Sequence, residues 1–181
     1  RQVLDCSWHL PNTNRSGEKE FLSERIPGAI FFNIDDISNQ KSPYPHMIPN
    51  EEEFSLKVGN LGISNDHYII TYDTLGVFSS ARVYWMFKQY GHKRISILNG
   101  GLKYWKLKNK KLDTSNPTKR EKASYQAQLD RSKIKKFEDI KINIEQKKFK
   151  LIDARPSGRF NGIDPEPRVE IQSGSIKNSF N

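Results

Sequence analysis

The stretch HYIITYDTLGVFSSARVYWMF, residues 67–87, decides the fold of this chain. Its first part, Tyr68–Tyr72, is a continuous run of β-branched and aromatic residues, which is typical of a strand buried on both faces. A loop beginning at Asp73 follows, and we expect Ser79 to cap a helix that ends at Gly91. The apolar face of that helix has the spacing i, i+3, i+4, i+7 and consists of Val83, Met86, Phe87 and Tyr90.

The same alternation of strand and helix extends outward from this stretch. Apolar runs predict strands at Val3–Trp8, after the Pro-Gly turn within 26–32, and at Ile95–Leu98. Helices are predicted at Glu51–Val58, ending near Gly62, and after the turn at 99–101. Apolar strands that alternate with helices indicate a parallel sheet covered on both faces, which is an α/β domain.

The chain then changes character. We assign residues 1–113 to one complete domain and residues 114–130, rich in Pro, Ser, Asn, Lys and Gln, to a linker. Residues 131–181 begin a second domain, because the predicted strand Lys150–Ala154 repeats the pattern of the first strand. A helix with Phe137, Ile140 and Ile144 on one face precedes it. We expect the second domain to be incomplete, with its missing C-terminal half beyond Asn181.

Composition excludes some classes of protein. Hydrophobic residues make up 35% of the 181 residues, yet no run approaches the ~18 apolar residues of a membrane span. The net charge of +9 comes with lysines that are concentrated at 103–150. This segment lacks the interleaving of aromatic and basic residues that is typical of RNA-binding proteins, which favours a solvated surface over nucleic-acid binding. A nucleic-acid-binding protein remains an alternative. We expect a cytoplasmic protein, with a mitochondrial location as the alternative.

The cysteine content gives a functional clue. Backbone N–H groups at the start of a helix stabilise an anion and would lower the pKa of a thiol, but that position is occupied by Asp73. An aspartate is itself a suitable anion for these groups, so Asp73 is interpreted as a cap of the helix start. The single cysteine, Cys6, lies in the first apolar strand and is expected to be buried and inert. The four histidines are scattered, so neither a metal site nor a cofactor is predicted. The chain is therefore either a non-catalytic module or part of an enzyme whose reactive cysteine lies elsewhere.

Five motifs follow one another in a characteristic order: RIPGAIFFNID (25–35), SPYPHMIP (42–49), GVFSSARVYWMFKQYGH (76–92), LNGGLKYW (98–105) and DARPSGRFNGIDPEPR (153–168). Together they resemble the tandem-domain sulfurtransferases of the rhodanese superfamily, most closely the 3-mercaptopyruvate type. The resemblance implies two rhodanese-like domains, of which the second carries the cysteine that becomes a persulfide. The implied donor is 3-mercaptopyruvate or thiosulfate, and the implied acceptor is a thiol or cyanide.

The resemblance assigns substrate binding to Arg159 and Arg168. A guanidinium group binds a carboxylate through two parallel hydrogen bonds, so two arginines suit a small 2-oxo acid. The alternative is that both are surface residues paired with Asp164 or Glu166. Arg155 is predicted to be structural, pairing at the end of its strand.

Asp35 and His46 form a second candidate pair. The resemblance implies a proton relay in which the aspartate orients the histidine near the reactive loop of the other domain. The alternative is that His46, on a loop flanked by prolines, makes an interdomain contact. Both interpretations stay open from the sequence.

Overall fold

A computed structural model describes residues 1–167 and 171–181. Its internal contacts divide the chain into two compact units, Arg1–Arg131 and Ser132–Asn181. Within the described residues, no helix is both long enough and apolar enough to cross a bilayer.

The first unit is built on a four-stranded parallel sheet in the order β2-β1-β3-β4. Its strands are β1 (Gln2–Asp5), β2 (Ala29–Phe31), β3 (Ile69–Tyr72) and β4 (Ile95–Ile97). Its helices are α1 (Gly17–Ser23), α2 (Glu51–Asn60), α3 (Ser79–Gln89) and α4 (Gly101–Leu107), and Pro11–Thr13 forms a short 3-10 helix. The predicted parallel α/β fold is confirmed.

Two apolar clusters show that helices cover both faces of this sheet. Alternate residues of a strand point to opposite faces, and Ile69 belongs to one cluster while Tyr72 belongs to the other. Helices α2 and α3 contribute to the first cluster through residues such as Phe54 and Phe87, and helices α1 and α4 contribute to the second. The predicted apolar face of α3, from Val83 to Tyr90, is fully buried.

Residues 114–130 contain no helix or strand, but they lie against the first unit. The backbone N–H of Ala123 donates to the carbonyl of Gly59 at 2.9 Å. Tyr125 is 5% exposed and stacks on His92 with ring centroids 5.8 Å apart. The segment that the sequence assigns to a linker is thus fastened to the first unit by backbone hydrogen bonds and a buried ring.

The second unit contains α5 (Phe137–Gln146), β5 (Leu151–Ile152), α6 (Ser157–Phe160) and β6 (Ser179–Phe180), with β5 and β6 paired in parallel. A short 3-10 helix, Arg131–Lys133, lies at the boundary. The predicted apolar face of α5 is only partly right. Ile140 and Ile144 are half-buried, whereas Phe137 is 76% exposed.

Candidate functional site

The loop between β3 and α3 is organised around the carboxylate of Asp73. Its Oδ1 accepts hydrogen bonds from the backbone N–H groups of Leu75 and Gly76, both at 2.9 Å. Its Oδ2 accepts from the backbone N–H of Phe78 at 2.7 Å and from both the N–H and the hydroxyl of Ser80, at 2.9 and 2.6 Å. The loop is therefore an anion-binding arrangement, and the anion is supplied by the chain itself.

These contacts determine the charge state of Asp73. Burial alone would raise the pKa of this side chain, which is 1% exposed, but the hydrogen bonds from Ser80 and the backbone lower it below the usual value. The prediction that Ser79 caps the helix is wrong, because Ser79 is the first helical residue and its hydroxyl accepts from the backbone N–H of Trp8. The start of α3 is satisfied from a distance by Asp73.

Cys6 does not compensate for the missing thiol. β1 ends at Asp5, one residue earlier than Cys6, so the prediction of a strand through Trp8 is too long. The Cys6 side chain is completely buried, as predicted, and burial raises its pKa well above the usual value for a thiol. A thiol in this state supplies no thiolate at neutral pH.

The structure brings Asp35 and His46 together. His46 Nε2 lies 2.6 Å from Asp35 Oδ1, although the two residues are on different turns of a long loop. The indole N–H of Trp8 donates to both carboxylate oxygens of Asp35 at 3.1 Å, and its ring meets the His46 ring edge-on at 4.9 Å. The pair is therefore held by a third residue, the aromatic Trp8.

Arg82 fixes the backbone of His46. Its Nη2 donates to the His46 carbonyl at 2.7 Å, and its guanidinium lies 4.5 Å from the ring centre of Trp85. Burial lowers the pKa of Arg82. His46 has a φ of 58°, in the left-handed region that non-glycine residues seldom adopt. Arg82 thus links α3 to a strained residue, a role for which the sequence gives no signal.

A second carboxylate, Glu20, ties α1 to the loop that follows β3. Arg15 donates to it through Nε and Nη2 at 2.7 and 2.9 Å. His9 Nε2 lies 2.9 Å from Glu20 Oε2, and the Thr74 hydroxyl donates to the same oxygen at 3.2 Å. His9, one of the four scattered histidines, is thus part of this network.

In the second unit, Arg159 lies on α6 and pairs with Glu166. Arg159 Nε donates to Glu166 Oε2 at 3.0 Å, and Nη2 donates to the same oxygen. Arg155 pairs with Asp153 at the end of β5, where the sequence places it as structural, and also with Glu166. Arg168 lies outside the described residues, so the structure does not place the two predicted substrate-binding arginines relative to each other.

The described residues contain no group of three or more His, Cys, Asp or Glu side chains that could hold a metal ion. The described side chains form a loop filled by the Asp73 carboxylate, an Asp–His pair and an arginine cluster that shares one glutamate. Each unit holds its own part of this set.

A parallel sheet covered on both faces, with a helix-start loop shaped around an anion, defines this protein as an α/β domain of the rhodanese type. The Rhodanese-like domain family matches residues 3–108, and the chain belongs to that family.

Relatives match over nearly the whole chain. Human 3-mercaptopyruvate sulfurtransferase is 43% identical and bovine thiosulfate sulfurtransferase is 45% identical, each over 99% of this chain and 61% of its own length. The chain thus spans about three fifths of these curated relatives.

Solved structures show the same fold. The Tum1 protein of Saccharomyces cerevisiae matches with a TM-score of 0.91 at 36% identity, and the match covers 99% of this chain and 62% of the Tum1 chain. A sulfur transferase subunit of yeast mitochondrial complex I has a TM-score of 0.87 at 34% identity and covers 99% of this chain and 66% of its own.

Proposed function

We propose that this chain is part of a sulfurtransferase that moves a sulfur atom from 3-mercaptopyruvate or thiosulfate to a thiol or cyanide. The observation that carries the proposal is the likeness to sulfurtransferases of both kinds over 99% of the chain. The two clusters of charged side chains agree with it, because an arginine cluster suits an anionic donor and an Asp–His pair suits proton transfer.

The nucleophile in this proposal lies outside the chain, because Cys6 is buried and Asp73 occupies the anion-binding loop. A cysteine thiolate attacks the sulfur of 3-mercaptopyruvate, and a sulfur–sulfur bond forms as the carbon–sulfur bond breaks. The electron pair of the broken bond stays on the former CH₂ carbon, which takes a proton and leaves as pyruvate. The persulfide then passes its outer sulfur to the acceptor. No step needs a metal or an organic cofactor.

We assign the donor carboxylate to Arg159 and Arg168. A guanidinium group offers two parallel N–H donors that match a carboxylate. Asp35 and His46 are assigned to proton transfer, since the carboxylate orients the imidazole as it does in other Asp–His pairs.

Pyruvate release from 3-mercaptopyruvate by the full-length protein tests this function. Arg159→Ala and Arg168→Ala are expected to lower kcat/KM about 10-fold to 100-fold each, since each removes charged hydrogen bonds to the substrate. Arg94→Ala is the matched control, because the Arg94 side chain lies in the first unit and, among the described residues, donates only to the carbonyl of Asp66. Unchanged kcat/KM in both variants would refute the assignment.

A second candidate is a non-catalytic rhodanese-like module that binds a protein or an anion. The observation in its favour is that Asp73 fills the loop in which a reactive cysteine would otherwise lie. This candidate requires a natural protein close to the 21.0 kDa of this chain. Intact mass spectrometry of the native protein separates the two, because a clearly larger mass excludes the module alone.

We assign the protein to the cytoplasm, with the mitochondrion as the alternative. The mitochondrial alternative is supported by the similarity to the subunit of yeast mitochondrial complex I. Fractionation of cells with an antibody to the protein distinguishes the two compartments.

A further inference from the structure

The carboxylate of Glu166 is nearly buried, which is unusual for a charged group in so small a unit. Its side chain is only 3% exposed, and both of its oxygens are bound by arginines. Oε1 accepts from Arg155 Nη1 at 2.5 Å, while Oε2 accepts from Arg159 Nε at 3.0 Å and from Arg159 Nη2. Hydrogen bonds from Arg159 lower the pKa of Glu166, so it is ionised at neutral pH. One carboxylate therefore holds two guanidinium groups in fixed directions.

Arg155 is itself anchored to the end of a strand. Its Nε donates to both oxygens of Asp153 at 3.0 Å, and its Nη2 donates to Asp153 Oδ2 and to the carbonyl of Gly174, both at 2.6 Å. Asp153 directly follows β5, and its pKa is lowered to about 2 by hydrogen bonds from Arg155. A continuous series of charged contacts thus connects Asp153, at the end of β5, through Arg155 to Glu166.

Glu166, at the end of this series of contacts, determines the direction of the Arg159 guanidinium. The Nε–Nη2 edge of its guanidinium is used by Glu166, and no described residue accepts a hydrogen bond from Nη1. The Arg159 side chain is 27% exposed. The end of the fork, formed by Nη1 and Nη2, is therefore the part available to a carboxylate from solution.

We propose that Glu166 is a positioning residue for the donor carboxylate: anchored through Arg155 and Asp153, it turns the open end of the Arg159 guanidinium toward the substrate. The proposal rests on the proposed function, in which Arg159 binds the donor. A long flexible side chain that is already oriented loses less freedom when it binds a ligand, so the effect appears in affinity. The same network makes Arg155, which contacts no substrate in this scheme, a second positioning residue.

Steady-state kinetics of the full-length protein with 3-mercaptopyruvate, together with pyruvate as a competitive inhibitor, test this role. Glu166→Gln keeps the shape of the side chain but removes its charge. We expect KM and the pyruvate inhibition constant to rise about 10-fold, with kcat changed less than about 3-fold, because ground-state and transition-state binding are lost together. Glu145→Gln is the matched control, since it makes the same change at an exposed position of α5, and no described contact joins Glu145 to either arginine. It should leave both constants unchanged.

Arg155→Lys provides the second arm, in case Glu166→Gln does not fold. Lysine keeps the charge but loses the fork, so it should also raise KM. In the double variant the KM effect should equal that of Glu166→Gln alone, because both residues act through the same contact. Additive effects on KM would overturn the proposal that Arg155 acts through Glu166.

The possible failures are distinguishable. A wild-type protein that neither transfers sulfur nor binds pyruvate would overturn the proposed function and this inference with it. An active wild type with unchanged KM in Glu166→Gln and Arg155→Lys would overturn only the role of Glu166. A lower KM in Glu166→Gln would show that Glu166 competes with the substrate for Arg159, which also overturns it.

Discussion

Two nearly buried carboxylates, Asp73 in the first unit and Glu166 in the second, are bound in opposite ways. Asp73 accepts hydrogen bonds from neutral donors, four backbone N–H groups and one hydroxyl. Glu166 accepts from two positively charged side chains, Arg155 and Arg159. In both cases the contacts lower the pKa of the carboxylate, but the donors around Asp73 belong to one short loop and those around Glu166 reach in on long side chains.

The two regions differ in whether hydrogen-bond donors remain free for an external anion. The N–H groups around Asp73 point at an anion that is covalently part of the loop, so this region is closed to an external anion. Around Glu166, each arginine has more donors than the carboxylate can use. Arg159 keeps an open edge after pairing with Glu166, and we propose that this edge binds the carboxylate of the donor.

The largest expected effect is the loss of stability on removing Asp73. Asp73→Ala leaves several buried N–H groups without an acceptor, and we expect the free energy of unfolding to fall by roughly 2–4 kcal/mol. Urea unfolding followed by tryptophan fluorescence measures it, because all three tryptophans lie in the first unit. Asp66→Ala, at an exposed position, is the control and should change stability by less than about 0.5 kcal/mol. Equal effects of the two variants would remove Asp73 as the organiser of the loop.

A thiol placed in the same loop tests whether the amides form a general anion site. In Asp73→Cys we expect the introduced thiol to have a pKa at least about one unit below the ordinary value near 8.5, because the N–H groups favour the thiolate. The ultraviolet absorbance of the thiolate, recorded across pH, gives this pKa. Cys6 serves as the internal control, since burial raises its pKa and it should not titrate in the same range. An ordinary pKa for the new thiol would mean that the loop fits only a carboxylate.

These two regions also show how far the sequence could predict the molecule. The strand at Tyr68–Tyr72 and the apolar face of α3 follow from short-range periodicity, and the structure confirms both. The sequence offers two residues for the cap of α3, Ser79 and Asp73, and in the structure Asp73 accepts the hydrogen bonds of the helix start. The competition between two nearby polar residues for the same N–H groups depends on loop geometry, which no periodicity encodes.

The sequence predicts the residues of the candidate site and the pairing of Asp35 with His46, but not the side chains that hold them in place. Asp35 and His46 are 11 residues apart and the structure pairs them, yet Trp8, 27 residues before Asp35, completes the contact. The sequence offers Glu166 only as an alternative partner of an arginine, whereas the structure shows that two arginines share it. Side-chain contacts between distant residues leave no mark in a single sequence, so the positioning residues emerge only from the structure.

Acid should weaken both regions. The pKa values of Asp73 and Glu166 are lowered in the folded protein, so their contributions to stability are present above the unfolded values near 3.9 and 4.3 and are lost as the pH falls through the folded values. We therefore expect the free energy of unfolding to decline below about pH 4, and Asp73→Asn to flatten that decline. Urea unfolding between about pH 2 and 7 checks this for the first unit. An equally steep decline in Asp73→Asn would show that other carboxylates control it.

The smallest expected effect, the response to salt, separates the two carboxylates most directly. Arg155 and Arg159 are each 27% exposed, so their charges are reached by ions, and the screening length falls from about 8 Å at physiological salt to about 3 Å at 1 M. The stability difference between wild type and Glu166→Gln should therefore shrink as salt is added. The difference caused by Asp73→Asn should persist, because its partners are uncharged and Asp73 is 1% exposed. Amide hydrogen exchange resolves the second unit, which has no tryptophan. If salt affects both differences equally, the distinction between a closed neutral site and an open charged one fails.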